Sequence, residues 1–116
     1  MNIKGLIKGI TIPFVAMTLH LMLMSLIRGI PILSTLVPET FILYTAVMAF
    51  GALIGLVIDY NFMTFVFPVV PVLVNNAIYM MGQPISKILM NLLVNGVEFA
   101  FLLGLVYAIS RMIIKW

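Results

Sequence analysis

The chain has 116 residues, 65% of them hydrophobic and 8% charged, with a formal net charge of +3 and no cysteine. A soluble domain carries about a quarter charged residues, so this composition excludes a water-soluble globule, which would expose large apolar patches; the solvent that fits is a lipid bilayer. Disulfides and thiolate chemistry are excluded, and six Lys and Arg, four of them near the ends, form no clustered basic face for nucleic acid.

Four apolar stretches approach the roughly 20 residues that a helix needs to cross a bilayer. The first covers residues 10–27, with an amphipathic lead-in over 3–9. Lys4 and Lys8 before an apolar run imitate a secretory leader, but no small-residue cleavage pattern follows, so an uncleaved span is expected. Its centre carries His20 on one face with Pro13, Met17 and Met24. A lone histidine there serves either as a packing residue or as a ligand, and nothing in the chain identifies a cofactor.

Gly29-Ile30-Pro31 ends this helix, and Pro38-Glu39-Thr40 opens a second over 41–58. Within it, Gly51 and Gly55 make a GxxxG element of the kind that lets helix backbones approach closely in lipid. The Asp59-Tyr60-Asn61 turn is short, so the third span, 62–81, is expected to return as an antiparallel hairpin. Pro68 and Pro71 remove backbone donors and predict a kink or break in it. Carbonyls freed in this way need protein or water, not lipid. Asn75 lies on the proline face.

Gly82-Gln83-Pro84 turns the chain into the fourth span, 88–109, with a continuation towards Ile114. Gly96, Ala100, Gly104 and Ala108 recur every fourth residue as a ridge of small side chains. A ridge facing a ridge, this one against Gly51 and Gly55, would pack the two helices tightly. On the opposite face lie Asn91, Asn95 and Glu98. Glu98 falls near the middle of the span, where a charge costs roughly 2.5–3.5 kcal/mol on insertion scales. Such a carboxyl is neutral, paired with a cation or turned towards water.

The fold class expected is all-α, one polytopic transmembrane domain of four helices over residues 1–116. Four spans put both termini on one side, with Lys4, Lys8, Arg111 and Lys115, against Arg28 and Lys87 opposite. The positive-inside rule then places both termini in the cytoplasm, with Tyr60 and Trp116 at the inner interface. At those depths Asn75, Asn76, Asn91 and Asn95 sit in the outer half, Glu98 and His20 near the middle, and Asp59 at the inner edge. The series describes a path for a proton or cation, with Glu98 as the titratable centre. It equally describes amides and a neutral carboxyl that bond helices together.

No catalytic arrangement is evident, so an enzyme is not expected. The leading expectation is a proton- or cation-translocating unit, acting as a homo-oligomer or with other membrane subunits because four spans enclose little lumen. A structural or accessory subunit of a membrane complex and a holin-like pore former are the alternatives.

Overall fold

The computed structural model describes residues 2–59, 61, 64 and 66–115. Tyr60 and Trp116, expected as interfacial anchors, lie outside the described residues, as do Phe62, Met63 and Phe65 of the expected third span. The described chain is helical throughout, in the order α1 (Ile3–Arg28), a 3-10 turn (Ile32–Thr35), α2 (Pro38–Val57), α3 (Val69–Tyr79) and α4 (Ile85–Ile114). Three of these, α1, α2 and α4, are long and apolar enough to cross a membrane. The architecture is that of a small helical membrane protein.

The lead-in before the first span is part of it. Asn2 accepts a hydrogen bond from the Gly5 amide at 2.9 Å and caps α1, so the helix begins at Ile3, seven residues before the expected start. At the far end Gly29 takes the left-handed conformation, φ 70°, and its N–H bonds the Ser25 carbonyl. The helix α2 begins at Pro38, whose missing N–H has no partner to lose there.

The third segment departs most from expectation. Its helix has 11 residues, not the 20 of the expected span, and rises about 16 Å against a hydrocarbon core of about 30 Å. The prolines account for the late start. A helix reaching back through Thr64 would need N–H donors at Pro68 and Pro71, and neither has one. Starting at Val69 leaves Pro71 in the first turn, where its N–H would be unbonded in any case. Before it, Thr64 is buried and bonds the Asn61 backbone at both N–H and carbonyl, at 2.9 and 2.8 Å.

The most extensive packing is between α1 and α2. Here the sequence expectation needs correcting: Gly51 and Gly55 face Gly9 and Gly5 of α1, not the small ridge of α4. A Cβ on any of these four glycines would fall on the backbone carbonyl oxygen of its opposite number. The backbones therefore cross in direct contact, the geometry that small residues permit in lipid. Beside the crossing, Lys8, with a side chain 3% exposed, meets Asp59, 51% exposed, at 3.3 Å. Removing the carboxylate leaves a buried ammonium unpaired, partly relieved by the solvent that reaches Asp59. Asp59→Asn should cost about 1–3 kcal/mol, and Lys8→Met in that background should recover much of it, read by unfolding in bicelles.

All four helices contribute to one core, with Ile12 and Met17 from α1, Val47 from α2, Val72 from α3, and Phe99 and Leu103 from α4. Helices α1 and α4 run antiparallel, because Asn91 lies level with Arg28 and Glu98 with His20. The end of α4 thus returns to the end of the bundle where α1 begins.

A polar vestibule at the His20–Glu98 pair

Near the middle of the bundle α1 presents His20 and α4 presents Glu98. The imidazole Nδ1 lies 2.7 Å from Glu98 Oε2 and 3.0 Å from Oε1. The two side chains are 12% and 20% exposed, so the pair is mostly withdrawn from solvent. The Phe99 ring stands edge-on to the imidazole, with centroids 5.9 Å apart, and holds it against α4. On another face of α1, Thr18 and the Tyr44 hydroxyl of α2 share a 2.7 Å hydrogen bond. Tyr44 also packs on Phe14. These contacts fix the rotation of α1 and so the direction in which His20 points.

Above the pair a cavity of 490 Å³ opens towards the Arg28 end of the bundle. Helix α1 lines it with His20, Met24 and Arg28, and α2 with Thr40 and Leu43. Asn75, Asn76 and Tyr79 of α3 and Asn91 and Asn95 of α4 complete the wall. The short α3 makes this wall possible, since its 11 residues occupy only the half of the bundle where the cavity lies. Asn95 donates to the Asn91 carbonyl at 2.9 Å, one helical turn back. The Asn91 Oδ1 atom is buried and has no hydrogen-bond partner among the described residues. A buried acceptor left in this way costs about 1–3 kcal/mol unless a donor from outside the chain meets it.

Below the pair the core is apolar among the described residues. Along α1 and α4, Ile12, Ala16, Leu103 and Val106 are buried between the His20–Glu98 level and the other end. Asp59, expected as the inner exit of a path, lies at that other end on Lys8. From Lys8 to His20 is about 18 Å along the helix. The structure therefore brings together five of the six expected path residues, His20, Glu98, Asn75, Asn91 and Asn95, and separates Asp59 from them.

The small ridge of α4 is divided among different neighbours. A Cβ on Gly96 would meet the end of the Leu73 side chain at 2.9 Å. Ala100 packs at the margin of the core, Gly104 is half-buried, and Ala108 is exposed. Sequence reasoning missed Gly5 and Gly9, although their spacing repeats that of Gly51 and Gly55. It also missed Arg28 and Thr40 as cavity residues, since each had a sufficient role at a helix end. Among the described residues no three of His, Asp and Glu come together in a group able to hold a metal ion. Comparison with protein families, with curated proteins and with solved structures finds no match.

Proposed function

We propose that the chain is a proton- or cation-translocating unit of the membrane, acting as an oligomer or within a larger complex. The observation that carries this reading is the His20–Glu98 pair, an imidazole that lines a polar cavity and a carboxyl 2.7 Å from it. An intramembrane carboxyl is expensive to keep, and imidazole is an ordinary proton carrier near neutral pH. A proton entering from the cavity would reach the pair and be shared across its hydrogen bond. The excess of Lys and Arg at the opposite end puts that end in the cytoplasm and turns the cavity outward.

Passage to the cytoplasmic end then requires rearrangement or a partner, because Ile12, Ala16, Leu103 and Val106 are buried below the pair. That same apolar core favours a second reading, a non-transporting subunit in which the polar residues serve assembly. Liposomes carrying the purified protein and an internal pH dye separate the two. Glu98→Gln should lower proton flux at least about tenfold, equivalent to about 1.4 kcal/mol in the barrier, with unchanged helix content and particle size. Flux that survives Glu98→Gln intact would overturn the translocation reading, and assembly lost in the same variant would favour the structural one.

A further inference from the structure

The vestibule does not end at its polar walls. Between α2 and α3 a second cavity of 330 Å³ runs along the outside of the bundle, and its lining is almost wholly apolar, with Ile42, Ala46 and Phe50 facing Val70 and Val74. Leu43 and Asn75 line both cavities. The polar chamber and the apolar groove are therefore neighbours across Leu43 and Asn75, and α2, on the groove's side, is apolar enough to cross a membrane. A water-soluble solute would use the chamber and leave the groove to lipid. A membrane amphiphile would fill both, with its headgroup inside and a chain in the groove.

The chamber also indicates the sign of the headgroup. Arg28 lines the cavity towards its open end, is exposed, and forms no ion pair among the described residues. Asn75 and Asn76 line the same cavity and add amide donors to it. Glu98 is not part of the lining, whereas His20, its partner, is. A guanidinium with amide donors suits a phosphate. We infer that the vestibule and groove together bind one phospholipid-like amphiphile with an anionic phosphate headgroup, entering sideways between α2 and α3. This goes beyond the proposed function and rests on the lining of the two cavities.

The test is native mass spectrometry of the whole chain, released from bilayers containing equal phosphatidylglycerol and phosphatidylcholine. One phosphatidylglycerol should stay bound, preferred about tenfold, which is about 1.4 kcal/mol. Arg28→Gln should abolish the preference. Leu43→Trp, at the junction, and Ala46→Phe, in the groove, should each lower retention about tenfold. Leu93→Trp on the exposed face of α4 should change nothing. Equal retention of both lipids, or retention indifferent to Leu43→Trp and Ala46→Phe, would overturn the inference. Displacement of the lipid by soluble glycerol phosphate would do the same, because it would leave the groove without a role. Glu98→Gln should keep the lipid while losing flux. Lipid retained in a chain whose flux ignores Glu98→Gln would remove the proton reading and leave the amphiphile site standing.

Discussion

Replacing Gly51 or Gly9 by alanine is expected to destabilise the bundle by about 3 kcal/mol or more. The added carbon would land on the carbonyl oxygen of the facing glycine. A backbone carbonyl has no rotamer to change, so the helices must separate or rotate. Separation loosens the contact along the whole α1–α2 seam, the most extensive in the protein. It also draws Lys8 away from Asp59 and Thr18 away from Tyr44. Gly96→Ala provides the comparison, since its new Cβ meets only the end of a flexible leucine at 2.9 Å, and should cost less than about 1.5 kcal/mol. Reversible unfolding in bicelles would measure both. Equal losses at Gly51 and Gly96 would show that the backbone crossing is not what holds the bundle.

The second large effect is at His20 and Glu98. Truncating either residue alone leaves the other mostly buried without its partner, which costs about 3–5 kcal/mol for a buried pair. Replacing both by leucine removes two polar groups together and is expected to cost less than the sum by about 1–3 kcal/mol. Glu98→Gln should be milder, near 1 kcal/mol, because the amide still offers His20 a hydrogen-bond partner. This separation matters for the flux experiment: a variant with a small stability cost and a large flux loss points to proton movement, not to collapse of the site. Strict additivity of the two truncations would mean that the 2.7 Å contact carries no coupling energy, and the proposed relay would lose its physical basis.

Much of this protein was legible in its residues. Apolar runs bounded by Gly29, Pro38, Gly82 and Pro84 marked helix ends to within a few residues for α2 and α4. The breaking power of Pro68 and Pro71 was legible too, because a missing N–H is a local property. Its extent was not. How much of the segment stays helical depends on what else satisfies the freed carbonyls, and those partners come from elsewhere in the chain. The start of α1 was placed late because hydropathy falls at Lys4 and Lys8, while Asn2 provides a cap that hydropathy does not register.

Composition, depth and residue chemistry by themselves determined that the chain belongs in a bilayer and that Glu98 and His20 are the costly residues near its centre. They also brought out the four asparagines of one half. Only the tertiary structure decided who meets whom. A GxxxG element advertises a close approach without naming its partner, and the partner is Gly5 and Gly9, because the α1–α2 crossing sets their carbonyls against Gly51 and Gly55. A carboxyl and an imidazole separated by 78 positions carry no local sign of each other. Their contact follows from the rotation of α1 and α4 about their axes, which the packing of Phe99, Met17 and Leu103 sets. Asp59 shows the same limit from the other side. Its expected depth at the inner end is where the structure puts it, and only the fold shows that Lys8 is its neighbour there.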